Sequence, residues 1–276
     1  MQEQLFLFGI TLIAIIFATI SDLKTFEIPD AISYFLIIFG ISAQIILATT
    51  SQSLQPINAL LISLAIASAI AIPLFLLGQW GGGDTKLLLG IAAVLPTLHT
   101  TSLPFILTFT FNLFLFGGLY SILIMSYLSI KHWKKLIELS PLSKRLLILT
   151  ALTSFLPFIL QNIFFILIPI IAGGITITNL ALVLQKHFFI KKIHPSKLTE
   201  GDWITNDLKV GNKTIYKVRK IGVLDKDIQK IQKYYKKSIE IKTGIAFGPS
   251  FLFSILISGY FGDILFQIIP QVLSKI

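Results

Sequence analysis

The sequence contains no cysteine and little charge for its length. Without cysteine there can be no disulfides, thiol nucleophiles or cysteine-ligated zinc and iron–sulfur sites, so any chemistry must use oxygen and nitrogen groups. Charged residues make up only 13% of the 276 residues, whereas 54% are hydrophobic and the mean hydropathy is +0.84. A soluble globular protein needs far more surface charge than this. The composition therefore indicates an integral membrane protein.

Long apolar runs predict the membrane-spanning helices. The first begins just after Glu3 with no basic segment before it, so we expect a retained span and not a cleaved signal. The stretch 146–189 is too long for one helix, and we divide it into a hairpin near Pro157 to Asn162 because basic residues flank both of its ends. The other runs that can cross about 30 Å of hydrocarbon are 4–21, 31–49, 57–77, 103–130 and 244–269, with a shorter one at 85–97. The predicted fold is an all-α polytopic membrane protein of about eight transmembrane helices with a small α+β cytoplasmic insert.

The lysine and arginine residues predict the orientation of these helices. Under the eight-helix topology, 22 of the 23 lie in the connections on one side, and only Lys275 remains for the other. Basic residues stay in the cytoplasm, so both termini are expected outside, in a multi-pass protein of the cell membrane. The net charge of +10 then fits anionic membrane lipid better than nucleic acid. The basic connections are 22–30, 78–86, 131–145 and 186–242.

One polar segment, residues 191–242, is predicted to be a small cytoplasmic domain. It lies between a transmembrane region, 1–190, and a last span within 243–276. Short β-branched runs on both sides of Gly211-Asn212 indicate a β-hairpin. Asp225 can then cap a helix with Ile228 and Ile231 on one face and lysines on the other.

Two aspartates are the candidate catalytic residues. Asp22 ends the first span, and Asp84 begins the short fourth run, so both should lie at the cytoplasmic boundary of the membrane. A charged carboxylate there costs several kcal/mol unless it is paired, solvated or protonated. Gly81, Gly82 and Gly83 precede Asp84, and we expect them to allow positive φ angles and close approach of a substrate backbone. Two neighbouring carboxyl groups that share a proton can cleave a peptide bond.

Three motifs resemble those of a known family. They are Asp22 followed by Ile28-Pro29-Asp30, then Gly81-Gly82-Gly83-Asp84 with Lys86, and finally Phe247-Gly248-Pro249. In this order they resemble the signatures of the prepilin peptidase family, membrane aspartic proteases of the GxGD type. The insert "LTEGDWI…VRKIGVLDKDIQKI…IKTGIAFGP" further resembles the archaeal branch, which includes preflagellin peptidases.

The resemblance implies a function and a set of site residues. Asp22 and Asp84 would be the catalytic pair, with the three glycines and Phe247, Gly248 and Pro249 at the substrate. The enzyme would cut short basic leader peptides of prepilin- or preflagellin-like proteins at the cytoplasmic face. The chain differs from the family at position 30, which is Asp where Asn is common, and before Phe247, where proline is often found.

Other functions are compatible with parts of this pattern. A transporter or channel could use Asp22 and Asp84 to couple protons or cations, although both acids lie at the boundary and not in mid-bilayer. A noncatalytic scaffold would explain the basic insert but not the two acids. Trp80 and Trp133 are expected in an interfacial aromatic belt, and Lys86 is expected to reach lipid headgroups. The four histidines lack the spacing of a metal-binding helix, so we expect no metal or cofactor site.

Overall fold

The computed structural model describes residues 2–98, 104–134, 141–155, 157, 159, 167–211, 213–219 and 221–262. In these ranges, seven helices precede the insert. In chain order they are α1 Gln2–Thr25, α2 Asp30–Thr50, α3 Gln55–Leu76, α4 Gly82–Val94, α5 Phe105–Lys131, α6 Pro141–Thr153 and α7 Leu167–Phe188. The insert contains β1 Ile190–Ile193, a 3₁₀ turn Pro195–Lys197, β2 Trp203–Ile204, β3 Leu208–Val210, β4 Lys213–Tyr216, α8 Asp225–Tyr234 and β5 Ile239–Lys242. Helix α9, Gly248–Phe261, follows it.

The short helix α4 lies at the centre of the bundle. Most of its residues from Leu87 to Val94 are fully buried, because it contacts α1, α2, α3 and α5. Glycines let the backbone of α2 approach closely: a Cβ on Gly40 would lie 2.5 Å from the Ala93 carbonyl carbon. Gln44 Nε2 donates a hydrogen bond to the Val94 carbonyl oxygen (3.1 Å) and so satisfies one of the free acceptors at the end of α4. The helix that begins at the glycines is thus fixed on all sides.

Helices α6 and α7 form an antiparallel pair. Ser143 bonds to Asn179 at one end of the pair, and the Thr150 and Thr176 hydroxyl groups are 2.7 Å apart nearer the other end. This pairing agrees with the predicted hairpin in 146–189. The predicted turn from Pro157 to Asn162 lies mostly outside the described residues.

The insert has its own apolar core and two small sheets. Strands β1 and β2 both pair antiparallel with β5, so the order of the three-stranded sheet is β1-β5-β2. Strands β3 and β4 form a two-stranded antiparallel sheet on either side of Gly211, as the sequence predicted. Ile228 and Ile231 of α8 are buried in this core. The helix starts differently from the prediction, because Asp225 is its first residue and Leu224 is the N-cap, with no side-chain cap.

The helical membrane fold is confirmed, and the number of spans is still a prediction. Within the described ranges, five helices, α1, α2, α3, α5 and α7, are long and apolar enough to cross a membrane. Helices α4 and α6 have 13 residues each, which is about 20 Å, shorter than the hydrocarbon layer. Helix α9 is a shorter apolar helix, and the predicted remainder of its span to residue 269 lies outside the described residues.

Candidate active site

Asp22 lies in the last turn of α1 and is held by the start of α9. Its side chain is only 6% exposed. The Gly248 N–H donates a 2.6 Å hydrogen bond to Asp22 Oδ2, and the Thr19 hydroxyl donates to the Gly248 carbonyl oxygen (3.0 Å). A Cβ on residue 248 would lie 2.9 Å from the Thr19 Cα, so only glycine fits between the two helices. Gly248 thus fixes one oxygen of the Asp22 carboxyl group.

Asp84 is the third residue of α4, which begins directly after its N-cap glycine. Gly81 is the N-cap, with φ −74° and ψ 163°, and its N–H donates to Asp84 Oδ2 (3.2 Å). The Thr85 hydroxyl donates to the Gly81 carbonyl oxygen (3.1 Å). An acidic side chain in the first turn also interacts favourably with the helix dipole. The carboxyl group of Asp84 is therefore fixed by the turn on which it is carried.

The structure brings these two carboxyl groups together. Helices α1 and α4 contact each other, and Asp22 and Asp84 are close enough to interact electrostatically. The two residues come from segments more than sixty positions apart, and each has one oxygen held by a backbone N–H. Two carboxyl groups placed in this way can act as a general acid and a general base.

The three glycines act differently from the prediction. None of Gly81, Gly82 and Gly83 has a positive φ, because α4 starts at Gly82, so the expected left-handed loop is wrong. Gly78 is the residue with positive φ (68°) in this segment. The absence of a Cβ matters most at Gly83, where one would lie 3.0 Å from Ile28 Cβ. The segment that packs closely against Gly83 therefore belongs to the protein itself, and the close approach of a substrate backbone stays a prediction.

The third motif is packed into an aromatic cluster. A Cβ on Gly117 of α5 would lie 2.6 Å from the Phe247 ring, which fills this space. The Phe247 ring centre is 6.3 Å from that of Trp80 and 5.9 Å from that of Phe251. Pro249 is buried at the start of α9. The cluster joins the segment before Asp84 to the residues that hold Asp22.

Trp80 is the main site residue that the sequence analysis assigned wrongly. It is only 8% exposed and contacts Phe114, Phe247 and Phe251, so it does not lie in an interfacial belt. The sequence signal for a position beside the candidate site is that Trp80 directly precedes the three glycines. Thr19 was missed as well, and it is one helical turn before Asp22, on the same face of α1.

Asp30, the third aspartate of the sequence motifs, is paired with Lys86. Both Asp30 oxygens lie 2.7 Å from Lys86 Nζ, which is also 5.3 Å from the centre of the Tyr34 ring. Lys86 thus binds Asp30, and the expected contact of Lys86 with lipid headgroups is not its contact in the structure. This ion pair gives Asp30 a partner of its own, separate from the Asp22 and Asp84 carboxyl groups. Within the described ranges, no group of three His, Asp or Glu side chains could hold a metal ion.

The comparison with protein families gives a match in the first part of the membrane region. Residues 9–122 match the family model described as the type IV leader peptidase family, and this segment contains both aspartates and the three glycines. No curated protein and no solved structure matches the chain. The family indicates a protease, and together with the apolar helices it indicates a multi-pass membrane protein. Through residues 9–122, this chain is similar to the type IV leader peptidase family.

Proposed function

We propose that this protein is an aspartic endopeptidase that removes the short basic leader peptide of prepilin- or preflagellin-like proteins at the cytoplasmic face of the cell membrane. The observation that carries the proposal is the pair formed by Asp22 and Asp84, each held by a backbone N–H at one end of the helix bundle. The family match over residues 9–122 supports peptidase activity in general.

The proposed chemistry uses the two carboxyl groups in different protonation states. The ionised one takes a proton from a water molecule, which attacks the scissile carbonyl carbon, and the protonated one donates a hydrogen bond to the carbonyl oxygen. The Gly248 and Gly81 N–H groups hold the Oδ2 atoms of Asp22 and Asp84. With one oxygen of each group fixed, the other can be directed at the water and the substrate, and less entropy is lost in orienting the reacting groups.

The proposed substrate path runs along the start of α4. A Cβ on Gly81 would meet nothing closer than Asp84 Oδ2 at 3.4 Å, and one on Gly82 nothing closer than Phe75 Cε2 at 3.9 Å. This backbone is open enough to receive an extended peptide beside Asp84. Gly83 is closed by Ile28, and Gly248 is closed by Asp22 and Thr19. We therefore assign substrate contact to Gly81 and Gly82, and an indirect role to Gly83, Phe247, Gly248 and Pro249.

The proposed orientation rests on the insert and on the distribution of charge. The insert lies at the same end of the bundle as the acid pair, because β5 leads into Gly248 and Thr199 bonds to Glu27. It also carries most of the basic residues, which stay in the cytoplasm. The lysine-rich face of α8 then lies where anionic lipid headgroups could bind it. The similarity of the insert to the archaeal branch supports preflagellin-like substrates.

Cleavage of a prepilin-like peptide by the full-length chain in lipid nanodiscs tests the proposal. Asp22→Asn and Asp84→Asn should each lower kcat about 10²- to 10⁴-fold, because an amide cannot accept and return the proton. The melting temperature should stay near that of the wild type. Asp30→Asn is the matched control, since Asp30 is a nearby carboxylate that binds Lys86 instead.

Two results would contradict the peptidase proposal. Full cleavage by Asp22→Asn would remove Asp22 from the chemistry. A wild-type chain that cleaves nothing, but conducts protons or cations into vesicles in an Asp22-dependent way, would support the transporter alternative.

A further inference from the structure

The segment that follows Asp22 adopts an unusual backbone conformation. Phe26 has φ +61°, a left-handed conformation that non-glycine residues seldom adopt. Its N–H donates to the Asp22 carbonyl oxygen (2.8 Å) and ends α1. The Phe26 ring is 47% exposed, and Lys191 Nζ of β1 lies 4.7 Å from the ring centre, within the range of a cation–π contact. The insert therefore contacts the residue at which the chain turns away from Asp22.

The next residue, Glu27, is bound from both sides. Its carbonyl oxygen accepts hydrogen bonds from the hydroxyl groups of Ser21 (3.0 Å) and Thr25 (3.3 Å). Its side-chain Oε1 accepts a 2.8 Å hydrogen bond from the Thr199 hydroxyl group of the insert. Thr199 is itself fixed, because its N–H donates to Asp202 Oδ2 (2.9 Å). Glu27 thus connects the turn that carries Asp22 to the insert.

Ile28 connects the same segment to the second aspartate. It is 8% exposed, and its Cβ is only 3.0 Å from where a Cβ on Gly83 would be. Gly83 immediately precedes Asp84 in α4. Residues 26–28 are therefore in contact with the turn of Asp22, with the turn of Asp84 and with the insert.

We infer that Glu27 is a positioning residue of the peptidase and that the Thr199 hydroxyl group of the insert holds it in place. The insert thereby sets the relative position of Asp22 and Asp84. This inference rests on the proposed function for its effect on cleavage. Its structural part, that Thr199 fixes the position of residues 26–28, can be tested without any cleavage activity.

The first test replaces the hydroxyl group of Thr199. Thr199→Val in the full-length chain keeps the shape but removes the donor to Glu27, and we expect kcat to fall about tenfold, because small misplacements of reacting groups are costly. The KM for the leader peptide should stay within about twofold of wild type, since the change affects positioning and not binding. Thr199→Ser should restore kcat. Thr214→Val, at an exposed threonine of the same insert, is the matched control.

The second test measures the position of the segment without cleavage. Because the chain has no cysteine, Ile28→Cys with Gly83→Cys introduces a single pair, whose Cβ atoms are close enough for a disulfide after a small shift. We expect the disulfide to form several-fold more slowly when Thr199→Val is added, and at the original rate with Thr199→Ser.

The two tests separate the possible failures. A disulfide rate that depends on Thr199 in a chain that cleaves no peptide would support the positioning of residues 26–28 and contradict the proposed function. An unchanged disulfide rate would overturn the inference, even if kcat fell. The inference would also be overturned if Thr199→Val kept the wild-type kcat in the same assay in which Asp22→Asn is inactive.

Discussion

Replacing Gly248 by alanine should inactivate the protein by moving Asp22. The new Cβ would lie 2.9 Å from the Thr19 Cα and 3.1 Å from Asp22 Oδ2. The Thr19 atom belongs to the backbone of α1, so the two helices must separate. Overpacking of this kind costs about 1–3 kcal/mol of stability, and loss of the Gly248 N–H bond to a carboxylate about 1.5–3 kcal/mol more.

The loss of cleavage is measured separately from the loss of stability. Displacement of a catalytic group by about 1 Å lowers the rate about 10²-fold, so kcat of Gly248→Ala should fall by that order in the leader-peptide assay. Thermal unfolding of the same preparation in nanodiscs gives the stability change. Gly244→Ala is the matched control, because a Cβ there would meet nothing within 4 Å. Wild-type kcat in Gly248→Ala would refute the argument that the Gly248 N–H positions Asp22.

Four further predictions follow from the structure and the sequence. Gly83→Val should lower kcat, and should lower stability by about 1–3 kcal/mol, because its side chain meets Ile28. Gly118→Val in α5, where a Cβ would meet nothing within 4 Å, is the control, and wild-type kcat and stability in Gly83→Val would contradict the packing. Asp30→Asn should change stability by no more than about 0.2–1 kcal/mol and leave kcat near wild type, since the ion pair with Lys86 is partly exposed to solvent. A large loss of kcat would place Asp30 in the active site. Burial, and secondarily the charge of Glu27, raises the pKa of Asp202 from 3.8, so ionisation of Asp202 destabilises the fold. Asp202→Asn should have the melting temperature of the wild type below pH 3.8, and a melting temperature increasingly higher than that of the wild type as pH rises through the raised pKa. A difference in melting temperature that does not change with pH would be inconsistent with this cause. Reporters fused after residues 140 and 215 should both be cytoplasmic, and opposite sides would mean that 146–189 crosses the membrane once.

Local sequence patterns predicted most of the individual elements. The apolar runs gave the helices to within a few residues, as for α2, predicted at 31–49 and observed at Asp30–Thr50. Residues on both sides of Gly211 formed the predicted hairpin, because turn preference depends on a few adjacent residues. Ile228 and Ile231 are buried because the apolar face of α8 follows the helical period. Each of these signals is short-range.

Features that depend on contacts between distant segments were not predictable in this way. The glycine motif looked like a flexible loop, but packing of α4 among four helices extends the helix back to Gly82. Trp80 looked interfacial because tryptophan is common at membrane boundaries, and only the positions of Phe247 and Phe251 show that it is buried. The β1-β5-β2 sheet joins the two ends of the insert, and no local turn indicates that pairing.

Some of the contacts that hold the two candidate acids come from parts of the chain outside the family match. The match ends at residue 122, yet the N–H that holds Asp22 belongs to Gly248, 226 positions along the chain. The hydroxyl group that holds Glu27 belongs to Thr199, 172 positions away. Gly248 and Thr199 are linked to each other through the insert, because β5 ends only a few residues before α9. The matched segment supplies both carboxyl groups, and the remainder of the chain supplies contacts that fix the turn carrying Asp22, so the two candidate acids and the groups that hold one of them come from different parts of this protein.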